Sequence, residues 1–575
     1  MTRISRRTRG AAESAHKAQD ERDHDGVMHE SAAHAANDVL RRARDATPLG
    51  LLALFLIVTF ITTLTQAHRY GVTSDEPLQQ VYGQYVLAWY RSFGHDTSFL
   101  RAFPSAVHMP EHGGIVDAVI AALQSWLPGV DPWLTRRIAS GVIGWLGVVA
   151  IALCGLELGG PWVSLAAAVG LWLYPRYYGA MYNNPKDVPA AVSMLFALWM
   201  TLLLVRYWSQ RKRAAEVAVL LGGYLGVATA IRVTAIIWFA LLLTLVAGWW
   251  LIHGKAAWTE RRAARALAWQ GVIAAIITSV WLLVTAALWP FVFLSPLKNL
   301  VDSVQVLSHY PWTGQVLFNG VEYPAARLPV TYAPTWLAIG SPPLLLLLAL
   351  LGVTLVVGDA VLRRQIDPRA LTVALAFVIP FASLLLLHPV LYNALRQFLF
   401  IAPPLVLLAA YGLIRSVAFL WSRRRPVELR WLAAALVVVT IAGYAQVVAD
   451  MAALSPYEYT YFSPLVGGLH GAAPAYDTDY YGTCGTAAAE WLSQNYPRYI
   501  ITPAPSVGAS DLLQASLSRS LPASFRNSDA YPDFFVGFTR DGSDQTYPSY
   551  RVIHRVMVEG VTLCVVKANP ATTVG

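Results

Sequence analysis

Two adjacent carboxylates, Asp75 and Glu76, are the first residues along the chain whose types and position suit chemistry. They follow the first long apolar stretch, in the string Ser74-Asp75-Glu76-Pro77. A carboxylate there can accept a proton from a hydroxyl group, which is the task of a general base. The alternative is an ordinary helix start, with Ser74 as the cap and both acids in the first turn, where the helix dipole favours negative charge.

A second polar group lies in the short segment 174–187, between two apolar stretches. Its candidate binding residues are Arg176, Tyr178, Asn183, Asn184, Lys186 and Asp187. Arginine suits bidentate phosphate binding, and lysine binds phosphate as a point charge. Amides and aromatic rings can hold a sugar or an isoprenoid chain. The alternative is an aromatic belt at a membrane interface, with one lysine reaching out to water.

Further ionisable residues stand where other apolar stretches end. Arg232 occupies a turn with almost no loop, and a cation buried there needs an anion, which is either a phosphate or one of the carboxylates named above. Arg396 can join a phosphate site, whereas His388 by itself is more often an interface residue than a catalyst. Arg137, beside Arg136, either contacts lipid headgroups or contributes to a site for an anionic ligand.

The composition indicates which elements must position these residues. Of 575 residues, 56% are hydrophobic and 13% are charged, against roughly 25% charged in a soluble domain. A bilayer core about 30 Å thick needs roughly 20 apolar residues per helical span. The pattern predicts eleven spans, near residues 50–67, 138–156, 161–174, 188–206, 215–231, 234–252, 268–290, 336–358, 370–388, 397–416 and 431–449.

Lysine and arginine are distributed unevenly between the connections. The short connections 206–213, 255–265, 363–369 and 415–430, with the polar arm 1–48, hold 25 of the 43 Lys and Arg residues. The positive-inside rule places these segments in the cytoplasm of a multi-pass plasma-membrane protein. We expect the arm to be mostly disordered. The same distribution accounts for the net charge of +9 without a nucleic-acid partner.

The outer side of the membrane then receives the loop 68–137, the loop 291–335 and the C-terminal residues 451–575. This last segment is rich in Ser, Pro, Tyr, Asp and Gly, with strand-like runs at 550–558 and 560–566. We predict a mainly α fold class: a polytopic transmembrane helix bundle with a small α/β extracytoplasmic domain.

Within the C-terminal segment, the tyrosine-rich string 477–482 favours an anchor at the membrane surface, with sugar stacking as the alternative. Of three cysteines, only Cys484 and Cys564 can pair, and only in an oxidising compartment. Cys154 falls in an apolar stretch.

These motifs follow one another in an order, and lie on one side of the membrane, that resemble the GT-C superfamily of membrane glycosyltransferases. The resemblance is strongest to its branch of protein O-mannosyltransferases and aminoarabinose transferases. The resemblance spans roughly residues 49–450. It is carried by Asp75-Glu76, Arg137, Pro175-Arg176, Asn183-Asn184-Pro185-Lys186-Asp187, Gly222-Gly223-Tyr224-Leu225-Gly226 leading to Arg232, and Arg396-Gln397-Phe398. The final 125 residues do not match that branch.

The resemblance implies transfer of a sugar from a polyprenyl-phosphate donor to a hydroxyl of a glycan, lipid or protein acceptor. It makes Asp75 the preferred base and Glu76 its possible substitute. It makes Arg232, Lys186 and Arg396 ligands of the donor phosphate, with Arg176 and Arg137 as further candidates. The substrate-binding candidates are Asn183, Asn184, Asp187, Tyr178 and His388.

The resemblance requires no cofactor, although an Asp-Glu pair can bind a divalent metal ion. Two other functions stay open. A transporter or flippase of lipid-linked sugars predicts charges near span midpoints and repeated halves. A polysaccharide polymerase or ligase predicts reliance on arginines rather than on an early acid pair.

Overall fold

The computed structural model describes residues 46–257, 260–312, 314–422, 426–496, 506–509, 526–527, 532–540 and 542–571. Nearly all of the predicted cytoplasmic arm 1–48 therefore lies outside the described residues. By its internal contacts the chain forms two units, 1–55 and 56–575. The described part of the first unit is the beginning of helix α1.

Helices make up most of the described chain. They are α1 (Ala46–Arg69), α2 (Glu76–Arg91), α3 (Ile115–Trp126), α4 (Pro132–Gly159), α5 (Pro161–Trp172), α6 (Pro175–Asn183), α7 (Asp187–Tyr207), α8 (Arg211–Ile231), α9 (Trp238–Ala257), α10 (Glu260–Leu288), α11 (Pro290–Leu294), α12 (Pro296–Ser308), α13 (Tyr332–Ile339), α14 (Pro343–Val361), α15 (Pro368–Leu387), α16 (Ala402–Leu420), α17 (Val427–Leu454), α18 (Gly468–Ala472) and α19 (Cys484–Asn495). The 3-10 turns Val233–Ile237 and Arg396–Ile401 lead directly into α9 and α16.

The strands form two small sheets. They are β1 (Gln315–Phe318), β2 (Val321–Pro324), β3 (Ser506–Ala509), β4 (Arg526–Asn527), β5 (Phe534–Phe538), β6 (Arg551–Val558) and β7 (Val561–Ala568). β1 and β2 form an antiparallel hairpin. The C-terminal sheet has the order β4-β3-β5-β7-β6, in which β3, β4 and β5 are parallel and β5, β7 and β6 are antiparallel. The predicted strands at 550–558 and 560–566 are confirmed as β6 and β7.

Ten of the described helices are long and apolar enough to cross a membrane: α1, α4, α7, α8, α9, α10, α14, α15, α16 and α17. Together with the small C-terminal sheet, they confirm the predicted fold class. The prediction of a continuous span at 336–358 is wrong at its start, because Pro342 and Pro343 separate α13 from α14. Proline fixes φ and lacks the N–H that a continuing helix needs.

The predicted span 161–174 is also not one continuous membrane helix. Helix α5 has 12 residues, which rise about 18 Å and fall short of a bilayer core of about 30 Å. The neighbouring helices α4 and α7 nevertheless run in the same direction, since Arg206 near the end of α7 pairs with Glu157 near the end of α4 at 2.8 Å. The chain between them must therefore return across the bundle, and it does so through α5 and α6 in succession.

The polar ends of the spans separate onto two faces of the bundle. On one face, the starts of α7 and α16 and the end of α8 meet at Asp187, Arg396 and Arg232. We name this the cluster face. The opposite face carries the ion pair of Glu157 with Arg206 and another between Asp359 and Arg415, with an N–O distance of 3.1 Å.

The segment 455–483, which follows α17, packs on the cluster face. The Tyr70 hydroxyl donates a hydrogen bond to Glu458 Oε2 at 2.9 Å, and the Ser74 N–H donates to the carbonyl of Tyr481 at 2.9 Å. A disulfide between Cys484 and Cys564 joins the start of α19 to β7. The C-terminal domain is thereby tied to the loop that carries Asp75.

Candidate active site

Arg396 lies at the centre of the polar residues on the cluster face. Its Nε donates to Asp187 Oδ2 at 3.0 Å, and its Nη2 forms an ion pair with Asp75 Oδ2. The guanidinium lies 5.4 Å from the centroid of the Tyr481 ring. One arginine therefore joins two carboxylates that are far apart in the sequence.

Asp187 is held in place by the turn that starts α7. The side-chain oxygen of Asn184 accepts hydrogen bonds from the N–H groups of Lys186 at 3.0 Å and of Asp187 at 2.7 Å, which is the local bonding that Asn favours at turns. Asp187 Oδ1 also pairs with Arg232 Nη1, and its side chain is only 2% exposed. Two guanidinium groups thus compensate this buried carboxylate.

Asp75 differs from Asp187 in exposure. It precedes α2 without capping it through its side chain, and that side chain is 42% exposed. Partial burial raises the pKa of the Asp75 carboxyl. The positive charges of Arg396 first, and then of Lys186 and Arg540, outweigh this effect and hold that pKa below its usual value. Asp75 is therefore an ionised carboxylate that solvent can reach. With Lys186, Asp187, Arg232 and Arg396 it forms what we name the Arg396 cluster.

Lys186 and His112 complete the surroundings of these residues. Burial lowers the pKa of the Lys186 amine, while Asp117 and Asp75 oppose that shift. Burial, and then Lys186 and Arg232, hold the pKa of His112 well below its usual value. His112 is consequently a neutral imidazole beside the cations. No pattern in the sequence points to His112, because it lies in the middle of the long loop 68–137.

Glu76 points away from the Arg396 cluster. Its Oε2 accepts the N–H of Thr73 at 2.8 Å, and its Oε1 lies 3.2 Å from Arg136 Nε. Arg136 also pairs with Asp117 at 2.6 Å and donates to Gln79 at 3.0 Å. We name these residues, with Gln80, the Arg136 cluster. The expectation that Ser74 caps the helix is wrong, because α2 begins at Glu76 and the residue at the cap position is Asp75, whose side chain makes no capping hydrogen bond. Of the two acids, only Glu76 lies in the first turn of α2 and bonds there through its side chain.

Five other candidates lie apart from the Arg396 cluster. Arg137 has as its ion-pair partner Asp131, the residue that caps α4, with an N–O distance of 3.8 Å. Arg176 is fully buried between the rings of Trp336 and Phe462, 5.0 and 4.9 Å from their centroids.

Tyr178 packs edge-on against Trp172, with centroids 4.9 Å apart. His388 is exposed at the end of α15. Asn183 donates to the carbonyl of Gly179 within its own helix at 3.1 Å. The structure therefore brings together Asp75, Asn184, Lys186, Asp187, Arg232 and Arg396 of the predicted site.

The C-terminal segment supplies two residues that the sequence did not place in the site. The Tyr481 hydroxyl accepts a hydrogen bond from Asn184 Nδ2 at 2.9 Å, although its string was interpreted as a membrane anchor. Arg540, in the turn after β5, donates to Asn393 Oδ1 and lies 3.7 Å from Asp477. A tyrosine-rich string beside acids was a usable signal for Tyr481, but no sequence signal pointed to Arg540.

A divalent metal ion does not fit the donors that the described residues offer. Among these residues, no group of three His, Cys, Asp or Glu side chains is placed to hold a metal. Asp75 and Asp187 both contact Arg396, so a metal shared by them would have to displace a guanidinium.

Similarity to known proteins was found only at the level of structure. No family model matches the chain, and no curated protein matches it. Among solved structures, it is similar to ArnT from Cupriavidus metallidurans bound to undecaprenyl phosphate, with 15% identity, a TM-score of 0.45, and coverage of 91% of this chain and 98% of that chain.

It is also similar to the oligosaccharyltransferase of Archaeoglobus fulgidus in the apo form, with 12% identity, a TM-score of 0.47, and coverage of 82% of this chain and 64% of that chain. A further match is AglB from the same organism in complex with an inhibitory peptide and a dolichol-phosphate, with 11% identity and a TM-score of 0.45 over 84% and 69% of the two chains. Identities and TM-scores this low assign no residue, so the site rests on the geometry of this chain.

Proposed function

We propose that the chain is a glycosyltransferase that moves a sugar from a polyprenyl-phosphate donor to an acceptor hydroxyl on the cluster face. The observation that carries this proposal is the arrangement of Asp75. This partly exposed carboxylate shares Arg396 with a second, buried carboxylate, at the level where several spans end. A base and a set of cations thus meet where a lipid-borne phosphate can reach them from the bilayer.

The charges of the Arg396 cluster suit a phosphodiester. Its three cations, Lys186, Arg232 and Arg396, exceed its two carboxylates by one. The donor phosphate carries one negative charge and would balance this excess. Arginine and lysine both bind phosphate oxygens, arginine through two parallel N–H groups. The tail of the donor would stay among the spans while its phosphate docks at their ends.

The reaction follows from this placement. The acceptor oxygen bonds to the anomeric carbon of the sugar as the bond from that carbon to the phosphate oxygen breaks. Asp75 takes the acceptor proton. Negative charge grows on the departing phosphate, where cations fixed beforehand stabilise it.

Arg396 also links binding to catalysis. This guanidinium lowers the pKa of Asp75 and so weakens it as a base. A bound phosphate competes for the same guanidinium. The pKa of Asp75 would then rise toward the operating pH, which makes it a stronger base only when donor is present.

Two features support an extracytoplasmic position for this face, as the orientation predicted from the sequence requires. Connections rich in Lys and Arg lie on the opposite side of the bundle. The domain that packs on the cluster face contains the disulfide between Cys484 and Cys564, and such bonds persist in oxidising compartments.

The test is to incubate the purified protein with a panel of radiolabelled polyprenyl-phosphate sugars and acceptors and to measure label transfer. Asp75→Asn is the test variant, and Asp131→Asn, an exposed helix cap in the same loop, is the matched control. We expect transfer from at least one donor, lost in Asp75→Asn and kept in Asp131→Asn. Movement of the donor across a vesicle membrane without transfer would replace this proposal with a transporter.

A further inference from the structure

The turn that precedes Arg396 has an unusual backbone. Asn393 and Ala394 are consecutive non-glycine residues with φ of 61° each. This left-handed region is unfavourable for L-residues, more so for Ala than for Asn. Such a turn persists only where its surroundings hold it. Since Arg396 follows two residues later, the contacts that hold this turn also set where its guanidinium points.

Two side chains from other elements hold the turn. The Tyr332 hydroxyl, on α13, accepts the N–H of Ala394 at 3.1 Å. Arg540, from the C-terminal domain, donates through Nη2 to Asn393 Oδ1. The turn is then closed by a hydrogen bond from the Arg396 N–H to the Asn393 carbonyl at 3.2 Å.

Arg540 is itself fixed in position. Its side chain is 7% exposed, and its Nε lies 3.7 Å from Asp477 Oδ1, in a carboxylate that is also buried. The Asp477 N–H donates to the Leu317 carbonyl at 3.4 Å, which connects the acid to the β1–β2 hairpin. A guanidinium suits this bridge because its planar fork can serve two acceptors in fixed directions.

We propose that Arg540 is a positioning residue for the phosphate site. It holds the 393–394 turn so that Arg396 reaches both Asp75 and Asp187. The C-terminal domain is thus a structural part of the reaction centre. Arg540 acts chiefly through Arg396, although its charge also contributes to the lowered pKa of Asp75. The proposal rests on the role of Arg396 in the proposed function, so its test must separate the two.

The first measurement compares Arg540→Gln with Arg551→Gln, which changes an exposed arginine on β6 of the same domain. Misplacing a catalytic group by about 1 Å costs about 100-fold in rate, so we expect Arg540→Gln to lose between about 10- and 100-fold in kcat/KM. Arg540→Lys should recover only part of this loss, because an ammonium lacks the planar fork. Arg551→Gln should match the parent.

The second measurement is a double-mutant cycle with Arg396→Gln. If Arg540 acts through Arg396, then Arg540→Gln will cause little further loss in the Arg396→Gln background. Equal, additive losses in both backgrounds would overturn the positioning role. If Arg396→Gln retains full activity, the proposed function itself fails, which is a different result.

A third comparison does not depend on the stability of the Arg540 variants. Asn393→Gly keeps the left-handed backbone at no steric cost, whereas Asn393→Val places a β-branched residue there. We expect Asn393→Val to lose activity to the level of Arg396→Gln, and Asn393→Gly to lose less. Parent-like activity in both variants would show that the turn does not position Arg396.

Discussion

The Arg136 and Arg396 clusters start from neighbouring residues of one string and have opposite characters. Glu76 enters the Arg136 cluster, in which the arginine is 0% exposed and its nitrogens contact two carboxylates and two glutamine side chains. Asp75 enters the Arg396 cluster, in which Arg232 is 24% exposed and Asp75 more so. One cluster is closed and the other is open to solvent.

The balance of charge differs in the same way. The Arg136 cluster has two carboxylates for one guanidinium, so it has no cation left for an anionic ligand. The Arg396 cluster has a cation in excess and a carboxylate that solvent can reach. Removing one partner from a buried, internally paired cluster destabilises a fold, whereas an excess of cations at a membrane boundary favours the binding of an anion. The comparison supports a structural role for Glu76 and the proposed chemical role for Asp75.

The largest effect on the fold is expected from Arg136→Met. Removing this guanidinium leaves Glu76 and Asp117 buried without a partner, and breaking a buried ion pair in this way costs about 3–5 kcal/mol. The free energy of unfolding in detergent, measured by denaturant titration, should fall by that amount. A variant as stable as the parent would show that the Arg136 cluster is not structural.

The largest effect on activity without loss of the fold is expected from Arg396→Gln. Losing one preorganised charge at the departing phosphate should lower kcat/KM by about 10²–10³-fold. The stability should change less than in Arg136→Met. Arg415→Gln, which removes a partly exposed arginine on the opposite face, is the matched control. If both variants lose activity equally, the distinction between the two faces is lost.

A smaller effect concerns pH. Activity should fall as Asp75 is protonated, so kcat and kcat/KM should both decrease at low pH. The decrease in kcat/KM reports the pKa of Asp75 in the free enzyme, in which Arg396 lowers it, whereas the decrease in kcat reports its pKa in the donor complex. We expect kcat to decrease at a higher pH than kcat/KM. In Arg396→Gln, kcat and kcat/KM should decrease at the same pH. If they do so in the parent, Asp75 and the donor phosphate do not share the guanidinium of Arg396.

Asp477 should give a weaker pH effect. Burial raises its pKa to about 6, although Arg540 opposes the shift. As the pH falls through this value, the carboxyl loses its charge and its attraction for Arg540. Relative to Asp477→Asn, which lacks this titration, the parent should lose activity by about a few-fold between pH 7 and 5. Parallel profiles for the two proteins would remove this effect.

The smallest effect is expected from His388→Asn. His388 is exposed and lies apart from the Arg396 cluster, and its left-handed backbone with a φ of 46° is one that Asn also adopts, so its replacement should change stability by less than about 0.5 kcal/mol. Its turnover should equal that of the parent. A large loss of activity would mean that the open cluster extends to the end of α15.

The spans could be predicted from the sequence because hydrocarbon selects long apolar runs, and these are visible residue by residue. The exceptions have local causes. One return across the bundle is divided at Pro175 into α5 and α6. The apolar stretch 336–358 is divided at Pro342 and Pro343 into α13 and α14. A window of average hydropathy does not detect such breaks.

The site could be predicted only in part. Asp187, Arg232 and Arg396 could be predicted because they lie where apolar runs end. A charged side chain near the hydrocarbon costs free energy, so its presence indicates a function. The sequence could not tell which of the neighbouring acids Asp75 and Glu76 faces the site. The direction of each side chain depends on Arg136 and Arg396, which lie far away in the sequence. Arg540 was missed for the same reason: its contact with Asn393 spans 147 positions.

One paired measurement tests the central claim most directly: donor affinity and kcat of Asp75→Asn and Glu76→Gln, each per folded molecule. The account predicts that Asp75→Asn binds a polyprenyl-phosphate sugar at least as tightly as the parent but turns over about 10²–10⁴-fold more slowly. Glu76→Gln should be less stable and keep its kcat. Normal turnover in Asp75→Asn would contradict the role of Asp75 as the base. Loss of turnover in a fully folded Glu76→Gln would contradict the structural role of Glu76.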